Sequence, residues 1–145
     1  MLVRGPSVFG GYRDRPEVNT EVLEDGWFHT RDIGEVHDGY LKIVGRSKEL
    51  IITGGYNVYP REIEDVLRSF PGISDAAVTG TASEEWGEEV TAFVEATGPI
   101  DHDALSAFVA QNLAPYKRPR SVVRLDELPR NLLGKVRKDL LGPKT

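Results

Sequence analysis

Gly45-Arg46-Ser47-Lys48-Glu49-Leu50-Ile51-Ile52-Thr53-Gly54-Gly55-Tyr56-Asn57-Val58-Tyr59-Pro60 brings three physical demands together in one short stretch. Arg46 and Lys48 are cations placed just before an apolar, β-branched run. Leu50 to Thr53 reads as a short strand, buried on at least one face. Gly54-Gly55 then opens a turn, because glycine suits backbone that needs φ > 0 or must let a ligand come close. Pro60 fits the first position of a helix, and Arg61-Glu62-Ile63-Glu64 continues it. A plain strand–turn–helix connection has the same spacing, so this stretch alone does not assign a function.

Outward from this stretch the chain alternates helices and strands. Ile63, Val66, Leu67 and Phe70 fall on one helical face, and Pro71-Gly72 stops that helix. Residues 74–81 read as a strand, and 81–87 as a polar loop carrying Trp86. Residues 88–96 form a further strand, with Val90, Ala92 and Val94 on one face. Asp101 or Asp103 is placed to cap a second helix, whose apolar stripe is Leu105, Phe108, Val109 and Leu113. Ala114-Pro115 ends it, and Tyr116-Lys117-Arg118-Pro119-Arg120 makes a basic turn that is either a solvated surface or a phosphate contact. Residues 121–125 supply a third strand. The expected fold class is α+β: a small domain with a three-stranded sheet packed by helices.

Towards the N-terminus, residues 2–5 read as the tail of a strand. Residues 16–24 fit a short helix that Asp25-Gly26 ends. Tyr12, Trp27 and Phe28 are large apolar groups with little chain around them to bury against. Residues 33–37 and 40–44 read as two strands joined by Asp38-Gly39, a strong hairpin signal. Asp32 precedes the first of them. A carboxylate there can accept hydrogen bonds from vicinal hydroxyls such as those of a ribose, or it can bond its own backbone in a turn. At the other end, Leu128-Pro129-Arg130-Asn131-Leu132-Leu133-Gly134-Lys135 sets a lysine in an exposed turn, where it is either an ordinary surface cation or a point charge for phosphates and carboxylates.

Composition narrows the classes. The 145 residues carry a net charge of −5, which argues against a general nucleic-acid binder. An apolar fraction of 39% and a charged fraction of 28% suit a globular fold. With no cysteine there is no disulfide, thiolate metal site or cysteine nucleophile, and a cytoplasmic location is the expectation. No apolar run approaches the ~20 residues of a membrane-spanning helix.

Four segments in order resemble the C-terminal part of the adenylate-forming superfamily of acyl-CoA synthetases, peptide-synthetase adenylation domains and firefly luciferase. They are residues 26–34 (Gly-Trp-Phe-His-Thr-Arg-Asp-Ile-Gly), 45–49 (Gly-Arg-Ser-Lys-Glu), 54–64 (Gly-Gly-Tyr-Asn-Val-Tyr-Pro-Arg-Glu-Ile-Glu) and 129–135 (Pro-Arg-Asn-Leu-Leu-Gly-Lys). The second and third most resemble acyl-CoA synthetases. Arg31 departs from the pattern, since the family more often has glycine there, and this leaves the local turn open.

The resemblance implies that residues 1–46 are the end of a large N-terminal AMP-binding domain and residues 47–145 are a mobile C-terminal domain. It implies ribose contacts for Asp32 and Arg46, a hinge at Lys48, and a catalytic Lys135 bridging the carboxylate and the α-phosphate. Gly54, Gly55 and Tyr56 would line a coenzyme A tunnel, and the basic residues near 116–120 would touch coenzyme A. ATP with Mg2+ and coenzyme A would be substrates of the complete enzyme, with no metal site in this stretch. The family's phosphate loop and acyl pocket are absent from these residues, so this chain alone is expected to be inactive, to be completed by a large N-terminal domain, and to associate with itself if its apolar surface stays exposed. Loading a carrier protein, or binding a nucleotide or partner without turnover, are the alternative functions. The acid itself is not specified.

Overall fold

The computed structural model describes residues 1–142. The chain divides into two compact units, Met1–Lys48 and a second that begins at Glu49.

The first unit holds two small sheets. Strand β1 (Leu2–Val3), helix α1 (Pro16–Val22), β2 (Leu23–Glu24) and β3 (Trp27–His29) come first. Strand β3 lies between β1 and β2, antiparallel to both. Asp25 and Gly26 therefore do not end the expected 16–24 helix, which stops at Val22. They form a two-residue hairpin turn with φ of 48° and 78°. Phe9 packs edge-on against Tyr12 and Phe28, with centroids 4.9 and 5.3 Å apart. The Arg4 guanidinium lies 4.8 Å from the Trp27 ring centroid. Strands β4 (Asp32–His37) and β5 (Tyr40–Arg46) form the expected hairpin. Asp38 and Gly39 turn it with φ of 51° and 80°, the left-handed pair such a turn demands.

The second unit is the α+β domain. Strands β6 (Ile51–Thr53) and β7 (Tyr56–Val58), helix α2 (Pro60–Arg68), β8 (Ile73–Ser83), β9 (Gly87–Ala96), helix α3 (His102–Asn112) and β10 (Ser121–Leu125) follow in order. The three expected strands form its centre: β9 pairs antiparallel with β8 and parallel with β10. The crossover that a parallel pair needs is α3. The β6–β7 hairpin joins β9 through Thr53 and Gly87, making five strands. Gly54-Gly55 thus connects two strands, and the helix starts only after β7.

Local chemistry explains both helices. Pro60 occupies the first turn of α2, where a missing N–H does no harm. Asp101 caps α3 by accepting from the Asp103 and Ala104 N–H groups. Ile63, Leu67, Leu105 and Val109 reach down from the helices onto Ala76, Val78, Val90, Ala92 and Val94 of the sheet, all buried. Two α2 side chains also cover the outer edge of β8. Glu64 accepts the Val78 N–H at 2.9 Å, and Arg68 donates to the Ala76 carbonyl at 3.0 Å. Backbone groups on an open sheet edge otherwise invite pairing with another chain.

The opposite face of the sheet is not bare. Ala77 and Phe93 are covered there by Leu128, 1% exposed, with Leu125, Val136 and Leu141 packed around. This fastens the Lys135 segment to the sheet.

Candidate functional site

In the first unit, the β4–β5 register sets Asp32 opposite Arg46. Asp32 Oδ1 lies 3.1 Å from Arg46 Nε, and the Asp32 side chain is mostly buried while Arg46 is open to solvent. The Asp32 N–H donates to the Thr30 hydroxyl at 3.0 Å. The two residues singled out for the same ligand region therefore touch. Arg31 just before them has φ of 61°, the left-handed region that glycine prefers. Its guanidinium pairs with Glu21 at 2.6 Å, and its carbonyl accepts the Ser47 N–H at 2.9 Å. Lys48 is exposed on a single 3-10 turn, Ser47–Glu49, at the end of the unit.

In the second unit, Gly54 and Gly55 have φ of 54° and 82°. The Gly54 N–H donates to the Trp86 carbonyl at 2.9 Å. A Cβ on Gly54 would lie 2.8 Å from Trp86 Cε3, whereas one on Gly55 would meet nothing within 4 Å. Tyr56 leaves the turn stacked on Tyr116, with centroids 4.6 Å apart and rings 21° from parallel. The Arg120 guanidinium sits 4.4 Å from the Trp86 centroid. Between them lies a cleft of about 430 Å3 lined by Thr53, Tyr56, Trp86, Tyr116, Arg118 and Arg120. Stacked aromatics beside guanidinium groups suit a ligand with a flat ring and phosphates. Arg118 also donates to the carbonyls of Leu113 and Ala110 at the end of α3, and Lys117 pairs with Glu62 at 2.7 Å, so the basic turn is tied to the fold.

Lys135 stands exposed on a tight loop. The Asn131 side chain accepts from the N–H groups of Leu133 and Lys135, both at 3.0 Å. Arg130 and Val136 form a bridge at the loop base, and the tip leucines Leu132 and Leu133 face solvent. The loop is therefore held in shape by Asn131 and by the bridge at its base.

Strand β9 separates the two places. The glycine turn lies at its Gly87 end, and Arg130 reaches Glu95 at the other. At the rise of an extended chain these ends are roughly 25 Å apart.

A family model, the AMP-binding enzyme C-terminal domain, matches residues 62–135, just over half of the chain. The chain belongs to this family. A 2-succinylbenzoate–CoA ligase of Oceanobacillus iheyensis is 45% identical over 143 residues, covering 98% of this chain and 30% of the relative. An indoleacetate–CoA ligase of Aromatoleum aromaticum is 47% identical, with 96% and 28% covered. Among solved structures, the o-succinylbenzoate CoA synthetase of Bacillus subtilis, in complex with its acyl-adenylate intermediate, superposes with a TM-score of 0.93 at 34% identity over 99% of this chain and 30% of that one. The chain thus spans about 30% of the length of the curated relatives it matches. Among the described residues, no helix of this family member is long and apolar enough to cross a membrane.

Sequence reasoning passed over two features of this AMP-binding C-terminal domain. Trp86 was legible only as an aromatic in an acidic loop, because its partner Gly54 is far away in sequence. Asp75 carried no signal, and Arg130 entered only as one residue of the 129–135 segment, since each reads as an ordinary surface charge until the fold sets them side by side.

Proposed function

We propose that this chain is the C-terminal part of an AMP-forming ligase that joins a carboxylic acid to coenzyme A. Support comes from likeness, over nearly the whole chain, to proteins named as CoA ligases. The observation that carries the mechanism is the separation of the glycine turn and the Lys135 loop along β9. Two sites that far apart cannot both flank one reacting atom.

The reaction then takes two steps. A substrate carboxylate attacks the α-phosphate of ATP, supplied with Mg2+, giving acyl-adenylate and pyrophosphate. Lys135, an exposed cation near the base of its loop, bridges the carboxylate and the phosphoryl oxygens as charge develops on them. Asp32 accepts from the ribose hydroxyls, and Arg46 beside it contacts the same region. Next the thiol of coenzyme A attacks the acyl carbon and AMP leaves. Gly54, Gly55 and Tyr56 line its approach, and the cleft of Trp86, Tyr116 and Arg120 takes its nucleotide end. Rotation at Lys48 exchanges the two loops at the reacting centre, a hinge motion of the kind that gates many enzymes. Residues 1–46 close the large domain and residues 47–145 move; the cytoplasm is the compartment this reading implies.

The two relatives are named for different acids at nearly equal identity. That fits a segment that handles ATP and the thiol rather than the acid. The test is Lys135→Ala in the complete ligase. ATP–pyrophosphate exchange should fall by about a hundredfold or more, while thioester formation from supplied acyl-adenylate is largely spared. Equal loss in both steps sinks the assignment. Clear exchange by residues 1–145 alone, abolished by the same substitution, would overturn the account of where ATP and the acid bind.

A further inference from the structure

We propose that Arg130 is a positioning residue for Lys135, tying the loop that carries the lysine to the two long strands of the sheet. The inference rests on the reading of Lys135 as the adenylation lysine. Arg130 Nη2 lies 2.6 Å from Asp75 Oδ2 on β8 and 3.5 Å from Glu95 Oε2 on β9. Its Nη1 donates to the Gly134 carbonyl at 3.1 Å. Gly134 directly precedes Lys135 and has φ of 76°. One guanidinium therefore grips two strands and the backbone next to the lysine.

The anchor is itself held. Asp75 Oδ1 accepts from Arg68 Nε of α2 and from the Ala76 N–H, both at 2.8 Å. Burial alone would raise the Asp75 carboxyl, but the hydrogen bonds from Arg68 and Arg130 outweigh it and hold it below the ordinary 3.8. The hydrogen bond to Asp75 in turn raises Arg130 above its ordinary value. Asn131 shapes the loop from inside, while Arg130 connects it to a rigid body. A lysine side chain has four rotatable bonds, so fixing its backbone removes much of the search its ammonium must make.

The division of contacts also says which replacement fails. Arg130 uses separate nitrogens for Asp75 and for Gly134. A lysine here has one nitrogen and loses the planar fork. It would keep the ion pair and release the loop.

The experiment compares Arg130→Gln, Arg130→Lys and Lys135→Ala in the complete ligase. Arg130→Gln should slow ATP–pyrophosphate exchange by about tenfold to a hundredfold, the scale of a misplaced reacting group. Thioester formation from supplied acyl-adenylate should stay within about twofold. Arg130→Lys should keep the wild-type urea midpoint yet recover only part of the exchange rate. Amide hydrogen exchange at Leu133 and Lys135 should quicken in both Arg130 variants. Equal loss in both half-reactions, following the loss of stability, would make Arg130 a structural residue and overturn the proposal. Unchanged amide exchange would overturn it whatever Lys135 does. If Lys135→Ala leaves adenylation intact while the loop amides still quicken, the reading of Lys135 fails and the Arg130 tether stands.

Discussion

The glycine turn and the Lys135 loop are both short chain reversals at the two ends of β9, but they are made rigid by different means. At Gly54 the backbone is pressed against an aromatic ring, with no room for a Cβ. At Lys135 the backbone is suspended from polar groups, with Asn131 inside the loop and Arg130 reaching back to the sheet. The first end keeps its shape by packing, and its two glycines add no side chain of their own to the turn. Hydrogen bonding at the second leaves Leu132, Leu133 and Lys135 exposed, which on the proposed reading lets the loop present the Lys135 ammonium. The first reversal is thus held by packing and the second by hydrogen bonds.

The largest expected effect tests what fastens the Lys135 loop. Leu128 is 1% exposed on the sheet face opposite the helices, whereas Leu132 at the loop tip is fully exposed. Leu128→Ala should destabilise the second unit by about 2–5 kcal/mol in urea unfolding, and Leu132→Ala should change it by less than ~0.5 kcal/mol. Similar losses would mean that the tip also packs.

The next effect isolates packing at the other end. Gly54 and Gly55 share the left-handed conformation, and only Gly54 meets Trp86. Gly55→Ala should therefore cost about 1 kcal/mol for conformation, and Gly54→Ala about 2–4 kcal/mol once crowding is added. Trp86→Ala should bring the Gly54 substitution down towards that of Gly55. A double-mutant cycle without coupling between positions 54 and 86 would break the contrast.

A smaller effect is expected from the carboxylate that anchors the Lys135 end. Asp75 has a folded pKa lowered from 3.8. Its contribution is thus complete above pH 3.8 and fades as pH falls through the lower folded value. Asp75→Asn should cost about 1–2 kcal/mol at pH 7. The gap between the urea midpoints of variant and wild type should narrow below pH 3.8. A gap that stays constant down to pH 2 would mean that the ion pairs with Arg68 and Arg130 add no stability.

These contrasts also show what sequence could reveal. Helices α2 and α3 were legible because Ile63, Leu67, Leu105 and Val109 repeat at helical spacing and land in one core. The β4–β5 hairpin was legible because alternating residues flank Asp38-Gly39. Asp25-Gly26 and Gly54-Gly55 turn the chain in the same way, but strands of two or three residues are too short to show alternation. The covering of the second sheet face was hidden as well. Leu128, Val136 and Leu141 follow no period because the segment between them is a loop with one β-bridge and a single 3-10 turn, Lys138–Leu140. Motifs brought out Asp32, Lys135 and the glycine turn, each a local pattern. Trp86 and Arg130 act on positions that the fold alone brings near.

Arg31 offers the smallest effect and the most direct check of a local departure. The residue takes φ of 61°, where an L side chain is strained by roughly 1–2 kcal/mol and glycine is not. Against that strain stands the pair with Glu21, a contact open to solvent and so worth about 0–1 kcal/mol. Glycine at this position would also widen the unfolded ensemble, which offsets part of the gain. The balance predicts that Arg31→Gly stabilises the first unit by about 0.5 kcal/mol, and that Arg31→Ala destabilises it by about as much, because alanine keeps the strain and loses the pair. A small rise in melting temperature for glycine and a fall for alanine is the expected pattern. A fall for both would mean that the Arg31–Glu21 pair, rather than backbone conformation, decides this turn.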